Sequence, residues 1–138
     1  MENCLFCKIA NGEIPSAKVF ENDKVFAFLD INPIAKGHCL VIPKDHFENI
    51  FDIEEDIFKN ITSTAKKIAK QMKINLQADG VNLVNASGKE AEQSVFHFHL
   101  HVVPRYQSDG LEMNKWWQSK IKKFTEEELK EIASKIQK

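Results

Sequence analysis

Apolar positions along this chain recur with two periods. Between Glu54 and about Lys73, the residues Ile57, Phe58, Ile61, Ala65, Ile68, Ala69 and Met72 return at helical spacing with lysines opposite, which predicts one long amphipathic helix. Shorter runs have strand character. Lys18–Glu21 and Val25–Leu29, separated by Asn22-Asp23-Lys24, predict a hairpin. Cys39–Ile42 is an unbroken apolar run stopped by Pro43, and Val81–Asn85 is a further strand. Residues 5–11 predict a short N-terminal helix closed by Gly12, and a turn at Asn32-Pro33 ends near Gly37. Strand, strand, strand, helix, strand, strand predicts an α+β fold: an antiparallel sheet of about five strands packed with one long helix.

The last strand has the most unusual pattern. His97-Phe98-His99-Leu100-His101-Val102-Val103 alternates three of the chain's five histidines with apolar residues. On a strand, successive side chains point to opposite faces, so the three imidazoles share one face and Phe98, Leu100 and Val102 face the core. Rings at alternate positions lie about 6–7 Å apart along a strand, close enough to surround one phosphate-sized group or a metal. Pro104 has no amide hydrogen and is predicted to end the run.

After Arg105 the chain passes through a polar turn at Ser108-Asp109-Gly110 and a segment with Trp116, Trp117 and Ile121. Thr125-Glu126-Glu127-Glu128 reads as a capping box opening a helix with Leu129, Ile132, Ala133 and Ile136 on one stripe. The expected organisation is one domain over 1–106, with a C-terminal helical extension over 107–138 packed on it. That extension serves either as packing or to shape substrate access through Trp116 or Trp117.

Composition narrows the class. With 138 residues, 43% hydrophobic and 28% charged, the chain suits one soluble globular domain. A net charge of −1 argues against a nucleic-acid partner. No apolar run approaches the ~20 residues of a membrane span, and no secretory signal is visible. Three cysteines fit a reducing, cytoplasmic setting better than a disulfide scaffold. Cys4-x-x-Cys7 has the spacing of half a tetrahedral zinc site, with His46 and His97 as the other half. The alternative is two reduced thiols. A thioredoxin-like role needs a preceding strand, for which residue 4 leaves no room. Cys39 reads as core.

The segment from His97 to Val103 resembles the signature of the histidine triad family. Gln93-Ser94-Val95-Phe96 precedes it as in that family's nucleotide-binding branch. Phe26-Ala27-Phe28-Leu29-Asp30-Ile31-Asn32-Pro33 is similar to the ribose-binding turn, and Gly37 to His46 to the next strand and turn. The resemblance spans roughly residues 4 to 105. It implies a HIT-like fold and a homodimeric hydrolase acting on the α-phosphorus of purine nucleotide conjugates. In that scheme His99 attacks the phosphorus, giving a covalent nucleotidyl-histidine that water hydrolyses. His101 and His38 donate to phosphoryl oxygens. Ser94, Asn85 and Gln93 line the phosphate and leaving group. Asp30 accepts from the ribose hydroxyls, and Leu5, Phe6, Ile9, Phe28 and Leu40 form the base pocket. The nucleotidyltransferase branch also carries a structural zinc at positions matching Cys4, Cys7, His46 and His97.

Four functions compete. Cleavage of a nucleoside phosphoramidate P–N bond is favoured by Gln93-Ser94. Hydrolysis of diadenosine polyphosphates is favoured by Pro104-Arg105. Nucleotidyl transfer is opposed by His101, which that branch usually replaces. A zinc-stabilised binding module without turnover, akin to relatives once described as kinase inhibitors, is opposed by an intact His99.

Overall fold

The computed structural model describes residues 3–137. Helix α1 (Leu5–Ala10) is followed by β1 (Lys18–Glu21), β2 (Val25–Leu29) and β3 (Cys39–Pro43). The long helix α2 (Glu55–Asn75) then leads to β4 (Gly80–Val84), a 3-10 turn at Lys89–Ala91, and β5 (Leu100–Arg105). Helices α3 (Met113–Ser119) and α4 (Glu126–Ile136) close the chain. The five strands form one antiparallel sheet in the order β1-β2-β3-β5-β4, so the α+β expectation holds.

The strand period sorts residues onto two faces. Val25, Ala27, Cys39, Val41, Leu100 and Val102 pack with Phe98 against Ile57, Ile61, Ala65, Ile68 and Met72 of α2. The recurrence read from the sequence is therefore the buried stripe of that helix. Glu55 and Asp56 in its first turn and Lys73 in its last complement the helix dipole. The opposite face is covered by α1: Phe6 and Ile9 pack on Phe26, Phe28, Leu40 and Ile42. Register then aligns one row across this face, because Phe28 pairs with Leu40 and Leu40 with His101.

Two local expectations are corrected. Regular pairing begins at Leu100, so His97 and His99 lie in the irregular approach to β5. Pro104 does not end the strand; it pairs with Val81. The Arg105 carbonyl accepts from the Asp79 amide, so Arg105 faces β4 and Pro104 faces the side where β3 has already ended.

Arg105 also closes the domain. Its guanidinium donates to both carboxylate oxygens of Asp109 (2.7 and 3.0 Å), to Asn82 Oδ1 at 2.8 Å and to the Leu111 carbonyl. Beyond this clamp, residues 112–137 are exposed. The N-cap half of the expected capping box forms, with Thr125 Oγ1 accepting from the Glu128 amide at 3.1 Å. Among the described residues of the extension, Trp116, Trp117, Leu129 and Ile136 are all open to solvent. An apolar stripe on a helix specifies a partner surface without saying which.

Candidate functional site

Three histidines and one carboxylate converge where β2, β3 and β5 meet on the α1 side. The Asp30 amide donates to the His38 carbonyl at 2.9 Å, which extends the β2–β3 register past both strand ends. His38 Nε2 lies 2.9 Å from His101 Nδ1 and 3.7 Å from Asp30 Oδ2. The His99 and His101 rings are 5.1 Å apart, closer than ideal strand spacing because His99 is outside the regular ladder.

Hydrogen bonds fix each tautomer. The Ile34 amide donates to His38 Nδ1 at 3.2 Å, so the His38 proton sits on Nε2 and is donated to His101 Nδ1. His101 must then carry its proton on Nε2. His99 Nδ1 donates to the His97 carbonyl at 2.8 Å, leaving Nε2 with a free lone pair. Asn85 Nδ2 donates to the His99 carbonyl at 2.9 Å and holds that residue's backbone. Among the described residues no buried side-chain nitrogen or oxygen lacks a partner. The two uncommitted nitrogens, His99 Nε2 and His101 Nε2, belong to rings that line an open cleft.

Burial keeps these rings neutral. It pushes His101 down to about 4, helped by the neighbouring His99 and His38. Burial also lowers His99 and His38, against the raising pull of the His97 carbonyl on His99 and of Asp30 on both. A neutral imidazole with one lone pair beside a neutral N–H donor is a nucleophile paired with an oxyanion donor.

The cleft has a volume of about 370 Å³, the size of a small-ligand site. Leu5, Phe6, Ile9, Phe28 and Leu40 form its apolar wall, and Asp30, Ser94, His99 and His101 supply its polar lining. Asp30 divides its oxygens: Oδ1 accepts from the Asn32 amide at 2.8 Å in a turn, while Oδ2 faces His38.

A second cluster lies beside the first. Ligand atoms of Cys4, Cys7, His46 and His97 all fall within 4.8 Å of one another. The S···N distances are 3.3, 3.5 and 3.5 Å and the N···N distance is 3.2 Å. Zn–S bonds of about 2.3 Å and Zn–N bonds of about 2.0–2.1 Å in a tetrahedron imply edges of about 3.6 Å and about 3.3 Å. The four residues therefore fit such an ion. His97 Nε2 donates to the Pro43 carbonyl at 2.8 Å, which turns its Nδ1 lone pair inward. Burial holds that ring neutral, with its pKa down at about 4. Asp30, His38 and His101 also group ligand-type atoms, but a cation on His38 Nε2 would move the proton to Nδ1, against the Ile34 amide. That trio is built to hold protons.

The chain matches the HIT domain family over residues 11–108. It belongs to the HIT family. The HIT protein named "Protein hit" of Bacillus subtilis is 44% identical over 138 residues, covering 99% of this chain and 94% of that one. The adenosine 5'-monophosphoramidase HNT1 of Candida albicans is 35% identical over 143 residues, covering 97% and 93%. The crystal structure of a Zn-bound histidine triad family protein from Mycobacterium smegmatis superposes with a TM-score of 0.78 at 38% identity, covering 81% of each chain.

In this HIT protein, several of the expected site residues are hydrogen-bonded to the protein itself. His38 spends its only proton on His101 and has none for a phosphoryl oxygen. Buried Gln93 donates to the carbonyls of Glu48 (2.7 Å) and Val95 (3.0 Å) and accepts from the Gly88 amide, so it braces the loop before the triad. Asn85 is committed to the His99 backbone, with its Oδ1 taken by Ser87. Ile14, Pro15 and Val95 also line the cleft. Nothing in their spacing singles them out, since the loops around α1 bring them there.

Proposed function

We propose that this HIT protein hydrolyses nucleoside phosphoramidate-type purine conjugates at the α-phosphorus through a covalent nucleotidyl-His99 intermediate. The observation that carries this reading is the His99 tautomer. Its Nδ1–H is bonded to the His97 carbonyl, so Nε2 is free beside the His101 donor. His99 Nε2 attacks phosphorus, the P–N bond breaks, and its electron pair leaves with the amine. Positive charge developing on the ring is shared with the His97 carbonyl. His101 Nε2–H donates to a non-bridging oxygen, where charge accumulates. Ser94, an exposed residue of the cleft lining, relays a proton from solvent water to the leaving nitrogen, giving up its own hydroxyl proton and taking one from that water. Water then hydrolyses the intermediate.

Asp30 Oδ2 accepts from a ribose hydroxyl, and the wall from Leu5 to Leu40 holds the base through apolar contact, which tolerates any purine. Zinc held by Cys4, Cys7, His46 and His97 would be closed on four ligands and structural. The Zn-bound relative supports that assignment. The phosphoramidase named among the relatives supports the reaction class. Arg105 is spent on Asp109, Asn82 and Leu111, so it lends no weight to a polyphosphate substrate. The three unbridged cysteines accord with a cytoplasmic setting. The uncovered stripes of α3 and α4 accord with a homodimer.

The deciding experiment offers adenosine 5′-phosphoramidate and diadenosine tetraphosphate in parallel to zinc-loaded protein, with His99→Gly as control. Turnover of the phosphoramidate that His99→Gly abolishes is the expected result. Turnover of the dinucleotide alone would move the chain to the other hydrolase class. Nucleotide binding without any turnover would remove the covalent mechanism.

A further inference from the structure

Helix α1 serves two purposes with six residues, far fewer than the ~12–15 an isolated helix needs to persist in water. Its N-cap is Cys4, whose Sγ accepts from the Cys7 amide at 3.4 Å and lies 3.3 Å from His97 Nδ1. Immediately after that cap come Leu5, Phe6 and Ile9, which form part of the cleft wall. Phe6 stands edge-on to Phe28 at 5.7 Å, to His97 at 6.0 Å and to His99 at 5.2 Å. The elements that pin α1 and the elements that shape the base wall are consecutive in the chain.

We propose that Cys4 and Cys7 form a thiol latch on the nucleotide cleft: as thiolates on an ion they hold α1 closed, and their oxidation to a disulfide opens the base wall. The latch rests on the zinc reading above. The oxidant is hydrogen peroxide. Each thiolate gives up one electron, the S–S bond forms, the O–O bond breaks, and two protons complete two waters. Zinc leaves because His46 and His97 alone are a poor site. Both cysteines are partly exposed, whereas Cys39 is buried.

The geometry also says which kinetic constant responds. His97 keeps its Nε2–H bond to the Pro43 carbonyl whether or not its Nδ1 holds an ion. The carbonyl that orients His99 is therefore retained while α1 is released. Binding weakens, and the chemical step changes little.

The test uses zinc-loaded full-length protein titrated with hydrogen peroxide. A chromogenic chelator reads released zinc, a thiol reagent counts free cysteines, calorimetry gives the AMP affinity and far-UV circular dichroism follows the fold. The expected result is one zinc and two thiols lost per chain, with the Kd for AMP raised about tenfold or more. On adenosine 5′-phosphoramidate KM rises while kcat stays within about threefold. Dithiothreitol plus zinc restores both. Cys39→Ala behaves as wild type, and Cys7→Ser shows the weakened AMP binding before any peroxide. Zinc and thiols lost with AMP affinity unchanged would overturn the latch, as would retention of zinc under peroxide. Collapse of the dichroism signal together with zinc loss would also overturn it, by making the ion a requirement of the whole fold. Failure of the zinc-loaded, reduced protein to bind AMP at all would instead remove the nucleotide reading.

Discussion

Replacing His38 with alanine separates two roles that the sequence makes look alike. If His38 touched the phosphate, its loss would cost what a transition-state donor costs, about 10²–10³ in kcat. In the structure His38 instead makes one neutral hydrogen bond, 2.9 Å long, that keeps the His101 proton on Nε2. Such a bond contributes about 0.5–1.5 kcal/mol net, or about 2- to 12-fold in a tautomer equilibrium at 1.4 kcal/mol per decade. His38→Ala should therefore lower kcat by about tenfold at most, and His101→Ala by about 10²–10³. Because His38 acts only through His101, the double variant should be no slower than His101→Ala alone. Steady-state hydrolysis of adenosine 5′-phosphoramidate by the four proteins measures this, with thermal melts to check folding. A loss of 10² or more in His38→Ala, or a further loss in the His101→Ala background, would refute the relay.

His99→Ala should abolish turnover while leaving the Kd for AMP within about threefold, since the ring's contribution to binding is one contact among many; calorimetry and a product assay separate the two. Asn85→Ala removes the donor to the His99 carbonyl and should lower stability by about 1 kcal/mol and kcat by up to about tenfold, with KM little changed. Burial depresses the pKa of His97 and His101 to about 4. The unfolded chain therefore binds more protons between that value and about 6.5, and stability present above pH 6.5 should fall steadily on acidification toward pH 4. Urea unfolding at pH 7, 6 and 5 should show it, and a stability independent of pH would contradict the neutral, buried assignment. Gly37→Ala should destabilise by about 1–3 kcal/mol, because φ is +99° and a Cβ would lie 2.5 Å from Leu76 Cδ1; a chemical melt tests it.

The parts of this fold fixed by period were legible in the chain. The buried stripe of α2, the hairpin and the apolar face of β5 follow from spacing alone, because burial on one face imposes it. The Thr125 cap was legible because an N-cap is satisfied within a few residues. The tautomer relay was not. His38, Asn85 and Gln93 each end on a backbone or ring atom from a distant segment, and an amide or imidazole can serve a substrate or a carbonyl equally well. Only the three-dimensional pairing says which. The start of β5 was misplaced for a related reason: His97 and His99 alternate as strand residues do, yet their surroundings hold them outside the ladder. The fate of the α3–α4 stripe was illegible because amphipathicity specifies that something covers a helix, not which chain supplies it.

The Arg105 fork has a consequence for where this protein can be cut. A boundary at residue 106 would strip the guanidinium of Asp109 and the Leu111 carbonyl and leave a cation facing Asn82 alone. A chain ending just after Leu111 would keep that anchorage whole and discard the exposed segment that carries α3 and α4. The same anchorage means the tail does not hang from a slack tether. It leaves the body at Leu111, the last residue the guanidinium holds.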